Sequence, residues 1–441
     1  MTKDDLTISQ PIEVPAGRVN RLARLGSMTA GIVGGAALQA IGGMARGSRP
    51  DMRSLLITPG NVRRVADELA RMRGAAMKIG QLLSMDAGEF LPPELAQILA
   101  RLRDQANIMP PSQLGQVLEQ GWGPGWRRNF KRFDVRPIAA ASIGQVHRAW
   151  TKDGRDLAIK VQYPGVAKSI DSDVTNVGAL LRLSGLLPKG FDIAPYLTEA
   201  RRQLHEETDY GREGAQLQRF SQWLEGAHSF IIPRFHSDLS TPQILAMSFV
   251  DGKPIETLAE ADAAIRNRVM TDLIDLTLRE VFSFGAMQSD PNFANYLYDA
   301  ETQRIVLLDF GAARDLDPGV TQAYGGLLRA GFSGDAGGLL DASVALGIVH
   351  PRGEERGGDT RLLALMQSIF DALRADHFDF TDQTLLRTLN SEGLALAQGG
   401  YHPPSVPMDA LYLQRKFGGL FLLGNRLGAN LPLRQIVTSH L

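Results

Sequence analysis

The sequence predicts an α+β protein of two lobes, a smaller β-containing lobe ahead of a larger helical one, with a helical extension in front of both. Three observations carry this reading. At 441 residues the chain exceeds one ordinary hydrophobic core. Short apolar or β-rich runs bounded by turn residues occur at Ile138 to His147, Asp156 to Gln162 and Ile244 to Val250, and then stop, apart from a pair around Asn295 to Asp309. Apolar residues at three- and four-residue spacing fill much of the rest. With 44% hydrophobic and 22% charged residues, the composition is that of a soluble globular chain. Basic and acidic residues balance at 47 and 48, so no global field recruits nucleic acid, which is not expected as a partner. The absence of cysteine excludes disulfides, thiolate metal sites, iron–sulfur clusters and a thiol nucleophile.

Along the chain, residues 1–50 form a distinct first segment. Asp4, Asp5 and Glu13 precede any apolar run, which argues against a secretory signal or a transit peptide and for a cytoplasmic, bacterial-type location. Leu25 to Ala45 carries no charge over 21 residues, long enough to span a bilayer, but six Gly and five Ala make insertion marginal. Arg18, Arg21 and Arg24 precede it, and Arg46, Arg49 and Arg53 follow. Basic flanks suit a helix at an anionic lipid headgroup layer, giving a peripherally or N-terminally membrane-associated protein. Small residues at four-residue spacing, Gly26, Ala30 and Gly34, equally suit packing on the same chain or on a twin as a homodimer.

Residues 51–137 read as a helical extension, with Val62, Val65, Leu69, Met72, Ala76, Ile79 and Leu83 on one face. Residues 138–250 form the β-containing lobe and 251–441 the helical lobe, with long helical patterns at Leu258 to Phe284, Gly319 to Leu346 and Thr360 to Leu396. Trp122 and Trp126 are expected to pack a turn, and His147 and His205 to make local hydrogen bonds. Arg415 and Lys416, in the helical pattern Leu411 to Arg426, are expected to be solvated, with a lipid-facing position as the alternative.

Four segments carry chemistry through their order and spacing. Ala139-Ala140-Ala141-Ser142-Ile143-Gly144-Gln145-Val146 fits the phosphate-covering loop G-x-G-x-x-G-x-V, with Ala at the first two glycine positions. Alanine is small enough for backbone amides to approach phosphates but denies positive φ, so this loop is expected to be stiff. Leu157-Ala158-Ile159-Lys160 nearly matches V-A-I-K and places Lys160 at fourteen residues after Val146. Asp290 precedes Asn295 by five, the spacing of the catalytic loop of kinases, although the preceding His and Arg are absent. An apolar strand then delivers Asp309-Phe310-Gly311, fourteen residues after Asn295. Phosphoryl transfer needs positioning and charge neutralisation, so a lysine on the phosphates and hard oxygen ligands for Mg²⁺ cover most of it. Asn295 and Asp309 supply such oxygens. A buried Lys160 needs a carboxylate, for which Glu213 is favoured, while Glu207 with Asp209 is assigned to Lys78.

These motifs, with Lys78-Ile79-Gly80-Gln81 and Glu207-Thr208-Asp209, resemble the UbiB or aarF-domain atypical kinases over most of the chain. The segment from Val14 through Arg46 looks most like their coenzyme Q branch. The resemblance implies an atypical protein-kinase-like two-lobe fold with a helical N-terminal extension that brings Lys78 and Gln81 near the nucleotide and blocks a protein-substrate groove. It implies ATP and Mg²⁺ as cofactors, with Asp290 and Lys160 catalytic and Asn295 and Asp309 on the metal. Ala139, Ala140, Ala141 and Ser142 would cover the phosphates, and Met247, Ser248, Phe249 and Val250 would line the adenine hinge. Lys78, Gln81, Glu207, Asp209 and Glu213 would position these groups. The function expected is an ATPase or small-molecule kinase supporting ubiquinone biosynthesis at a membrane, with protein phosphorylation disfavoured because no A-P-E triplet follows Asp309. Expected partners are ATP or ADP, an anionic lipid or lipid-like quinone precursor, and quinone-biosynthesis enzymes. The alternative is a nucleotide-gated scaffold that binds lipid or partners without turnover.

Overall fold

The computed structural model describes residues 65–70, 72–86, 97–98, 108–184, 187, 192–354, 357–382, 384–399, 401, 404 and 406–441. The Leu25 to Ala45 segment and its basic flanks lie outside the described residues. Among the described residues no helix is long and apolar enough to cross a membrane. The chain divides into two compact units, one ending at Ala215 and including Arg234–Phe249, the other made of Gln216–Pro233 and Val250–Leu441.

In chain order the first elements are α1 (Arg73–Asp86), α2 (Pro111–Trp122), β1 (Phe130–Phe133), β2 (Ala139–Ala140), β3 (Gly144–Thr151), β4 (Asp156–Gln162), α3 (Val166–Ser184), α4 (Ala194–Glu207), α5 (Tyr210–Trp223), β5 (Phe230–Ile231) and β6 (Ile244–Ser248). The first unit is built on an antiparallel sheet in the order β1-β3-β4-β6, with β2 paired to the start of β3. Period-two alternation sorts the faces of β4. Leu157, Ile159 and Val161 join a core with Leu114, Leu118, Trp126 and Phe130, which leaves Ala158, Lys160 and Gln162 for the opposite face. Trp122 and Trp126 pack in that core, their ring centroids 5.7 Å apart, and the Trp122 indole donates to the Leu239 carbonyl at 2.8 Å. His147 engages the Asp134 carbonyl and Gln145, and His205 engages Asp171, so both serve local structure. Helix α1 buries Ala75, Ala76, Ile79, Leu82 and Leu83 and packs on α3 and α4.

The second unit continues with β7 (Lys253–Pro254), α6 (Ala263–Arg279), β8 (Ala286–Gln288), β9 (Tyr296–Asp299), β10 (Arg304–Leu307), β11 (Ala313–Asp315), α7 (Pro318–Ser333), α8 (Ala336–Ala345), α9 (Gly357–Leu373), β12 (Phe378–Asp379), α10 (Thr384–Gln398), α11 (Met408–Leu427), β13 (Asn430–Leu431) and α12 (Leu433–Thr438). Its sheet runs β5-β10-β9-β7, and β8 pairs with β11, and β12 with β13. The strand pair expected around Asn295 to Asp309 is present as β9 and β10. Beyond it β7, β8, β11, β12 and β13 also lie past Asp251, contrary to the sequence expectation, and at two or three residues each they fall below the length at which alternation reads as a period.

The helical patterns are also broken where the sequence suggested continuity. The 319–346 pattern divides at Gly334, whose φ is +77°, followed by Asp335, whose side chain accepts from the amides of Gly337 and Gly338 and caps α8. The 360–396 pattern divides around β12. The pattern from 258 to 284 holds through α6 but ends in a π-helical turn, Glu280–Phe284, closed by Gly285 at φ +63°. Such turns commonly mark functional sites, and this one points Glu280 inward.

Candidate active site

In the first unit the polar groups assigned to the site gather on the Ala139 to Ser142 segment, here called the Ala-rich or nucleotide loop after its expected role, and on the sheet face opposite the α2 core. Lys160 sits in mid-sheet, paired with Val146 on β3 and Leu245 on β6. Its Nζ donates to both carboxylate oxygens of Glu213, at 2.8 and 2.9 Å. Glu213 comes from the first turn of α5, and its side chain is only 2% exposed. A bidentate carboxylate holds the ammonium in one direction.

The Ala-rich segment enters a tight hairpin. Ala139 pairs with Val146 and Ala140 with Gln145, and the Ala141 amide donates to the Gly144 carbonyl at 2.8 Å. Gly144 is obligatory for a steric reason, because a Cβ there would lie 2.3 Å from the Val161 carbonyl oxygen. Backbone cannot yield as a side-chain tip can. Gly144→Ala should therefore cost about 1–3 kcal/mol, seen as a lower chemical-denaturation midpoint. A midpoint equal to wild type would show that the hairpin can open at no cost.

Ser142 extends the network. Its hydroxyl donates to Glu207 Oε2 at 2.6 Å, and Glu207 Oε1 forms an ion pair with Lys78, which is buried on α1. Lys78, Glu207 and Ser142 thus link the extension helix, the end of α4 and the nucleotide loop within one unit. Gly74 reinforces the contact, since a Cβ on it would lie 3.4 Å from the Ser142 carbonyl oxygen. Gln81 is half-buried on the same helix. Asp209, assigned with Glu207 to Lys78, is placed differently: its Oδ1 accepts from the Arg212 amide and caps the start of α5. Two residues beyond Glu207, the chain has left α4, so the side chain turns to the next helix.

Of the four residues assigned to the hinge, three fall in the first unit. Met247 is buried and pairs with Ala158. The Ser248 hydroxyl meets His236 Nε2 at 3.0 Å, and the Phe249 amide donates to the Asp156 carbonyl at 2.9 Å. The Arg148 guanidinium lies 3.6 Å from the Phe249 ring centroid and is itself held by the Asp156 carboxylate. Val250 begins the second unit.

In the second unit, Asp290 follows β8 and Asn295 ends a single 3₁₀ turn, Phe293–Asn295, that the Asn292 side chain caps by accepting from the Ala294 amide. Asn295 Nδ2 donates to Asp290 Oδ2 at 3.4 Å. Strand β10 delivers Asp309, whose Oδ1 accepts from the Gly311 amide at 2.8 Å. Phe310 is buried with its ring centroid 4.9 Å from that of Phe220. The Leu308 amide donates to the Asn295 carbonyl at 3.0 Å, which brings the two loops together. With Nδ2 turned to Asp290, the Asn295 amide presents oxygen elsewhere, so Asn295 and Asp309 offer the hard, partly preorganised oxygen donors that Mg²⁺ takes. Asp290 Oδ1 is buried without a hydrogen bond. The donor chemistry therefore fits Mg²⁺ with nucleotide phosphates completing its shell.

Lys416 is a correction to the sequence reading. Rather than solvated, it is 2% exposed. Its Nζ donates to the Gln288 carbonyl at 2.9 Å and the Tyr296 hydroxyl at 3.2 Å, and lies 3.2 Å from Glu280 Oε2. Burial opposes the charge, but the Glu280 carboxylate and Tyr296 outweigh it and hold the ammonium above its ordinary range. Arg415 is partly buried and lies 3.6 Å from Asp290 Oδ1. The available signal was a charge on an apolar face: Leu413, Lys416, Leu420 and Leu423 share one stripe of α11.

Comparison with known proteins identifies the family of the chain. The ABC1 atypical kinase-like domain matches residues 101–343. The chain is 38% identical over 432 residues to the mitochondrial atypical kinase COQ8 of Saccharomyces cerevisiae, covering 97% of this chain and 85% of that protein. It is 35% identical to the mitochondrial atypical kinase COQ8B of Danio rerio, covering 96% and 68%. Among solved structures, the Rv3197–erythromycin complex from Mycobacterium tuberculosis superposes with a TM-score of 0.61 at 24% identity, over 83% of this chain and 92% of that one, which establishes a shared fold. The chain belongs to the ABC1 atypical kinase-like family.

Proposed function

We propose that the protein is a Mg-ATP-dependent ATPase or small-molecule kinase that supports coenzyme Q biosynthesis at a membrane. The observation that carries the ATP reading is the buried, bidentate Lys160–Glu213 pair, because a charge desolvated in mid-sheet has little structural justification unless a phosphate is to be bound. Lys160 takes the α- and β-phosphates, Ala139 to Ser142 cover them, and Met247 to Val250 hold the adenine. Asn295 and Asp309 would hold Mg²⁺, which when bound would neutralise phosphate charge. Asp290 accepts the proton of the attacking hydroxyl or water.

The tie from Lys78 through Glu207 to Ser142 favours a small acceptor over a protein one, since it anchors the extension helix to the nucleotide loop. The pathway rests on the likeness to the COQ8 kinases, and the membrane setting on the basic flanks of the N-terminal segment. One observation favours the scaffold alternative: of the two alanines at loop glycine positions, Ala139 is paired into β2 and Ala141 donates its amide to the Gly144 carbonyl, which limits the motion that turnover uses.

The test is phosphate release from Mg-ATP by the full chain, with phosphatidylcholine vesicles alone or mixed with phosphatidylglycerol. Turnover that rises with the anionic lipid is the expected result. Nucleotide binding without phosphate release under either condition would favour the scaffold.

A further inference from the structure

Helix α11 lies downstream of the residues matched by the family domain, yet it grips the loop that bears Asp290 at three successive points. Arg415 Nη2 is 3.6 Å from Asp290 Oδ1, an oxygen buried without a hydrogen bond. Lys416 Nζ donates to the carbonyl of Gln288, two residues before Asp290. One turn on, Gly419 abuts Pro291 so closely that a Cβ there would lie 2.6 Å from Pro291 Cβ. The start of the same helix reaches the segment after Asp309-Phe310-Gly311, where Asp409 accepts from the Asp317 amide at 2.8 Å and the Tyr412 ring underlies the Arg314 guanidinium at 3.9 Å.

We propose that α11 is the positioning element of the catalytic loop, with Arg415 orienting and charge-balancing the Asp290 carboxylate while Lys416 and Gly419 fix the backbone on either side of it. The His and Arg that precede the Asp in kinases are Gln288 and Ser289 here, so neither side chain brings a positive charge to Asp290 from within its own loop. Arg415 brings that charge from the helix. Asp290 is then directed at both oxygens, Oδ2 by Asn295 Nδ2 and Oδ1 by Arg415. A lone exposed ion pair at such a distance would carry little weight. Here the neighbouring Lys416 and Gly419 contacts fix the helix register, and so the position of Arg415.

The inference rests on Asp290 being the proton acceptor, and its test separates the two claims. Arg415→Gln and Arg415→Lys are compared with wild type in Mg-ATP turnover and in hydrogen exchange of residues 286–295. The Arg415 side chain is 22% exposed, so both variants should fold. Arg415→Gln is expected to lower kcat about 10- to 100-fold with KM for Mg-ATP unchanged, and Arg415→Lys to recover part of the loss. In the Asp290→Asn background Arg415→Gln should cost nothing further. Exchange in 286–295 should quicken in Arg415→Gln and in Gly419→Val. Undiminished kcat, or additivity with Asp290→Asn, would overturn the Arg415 assignment. If wild type itself does not turn over, the catalytic reading fails, and exchange alone decides positioning: faster exchange upholds it and unchanged exchange overturns it.

Discussion

Asp309→Asn is expected to reduce Mg-ATP turnover on the order of 10³-fold while leaving the fold intact. The change keeps the size of the side chain and keeps an oxygen to accept from the Gly311 amide, the contact that shapes the turn after β10. What it removes is the negative charge and one of the two hard oxygens. On the proposed site Asn295 would remain as a neutral ligand, and the phosphates would lose their tether to the loop. Nucleotide affinity measured with EDTA should match wild type, because Lys160, the nucleotide loop and the hinge residues are untouched. Affinity with Mg²⁺ should fall, and the difference between the two conditions isolates the metal contribution. Turnover within tenfold of wild type, with Mg²⁺ still required, would mean that another carboxylate holds the metal.

What the sequence made legible is chemistry fixed by spacing. The intervals from Val146 to Lys160, Asp290 to Asn295 and Asn295 to Asp309 are set by strand and loop lengths, so a linear pattern transmits them. The partner of Lys160 could also be anticipated, because a buried cation requires a carboxylate and the acidic stretch at the end of α4 and start of α5 is the nearby supply. Which carboxylate goes where was less legible. Glu207 and Asp209 are two residues apart, yet the helix ends between them, and Asp209 is diverted to cap α5. The break falls at Thr208, whose carbonyl accepts from Gln162 Nε2 at 2.7 Å.

The Lys416–Glu280 pair escaped for a different reason. Each residue is a lone charge on an otherwise apolar helical stripe, and each by itself reads as a solvated defect. Only the two helices together reveal that the charges cancel in a buried setting, 136 positions apart in sequence. Apart from the β9–β10 pair, the short strands after Asp251 were illegible because two or three residues show no period, and pairing between distant segments defines them. Mid-chain helix breaks at Gly334 and near β12 were masked by apolar spacing that runs through them.

Substituting one partner of the Lys160–Glu213 pair at a time should destabilise the first unit by about 3–5 kcal/mol, whereas replacing both should recover most of that loss. Glu213→Gln leaves an ammonium that is only 10% exposed without its carboxylate, and Lys160→Met leaves a carboxylate at 2% exposure without its cation. In Lys160→Met/Glu213→Leu neither charge remains, and the side chains of Ile159 and Val161 on the far face keep the strand in place. A pair retained only for stability would then be dispensable. Its replacement should leave a folded protein, by chemical denaturation near the wild-type midpoint, that binds ATP at least tenfold more weakly because nothing meets the phosphates. Stability and binding are thus expected to part company in the double variant. If the double variant is as unstable as either single one, the pair is a structural requirement of the sheet. If it is stable and binds ATP like wild type, Lys160 does not touch the nucleotide and the phosphate-binding role must be sought elsewhere in the unit.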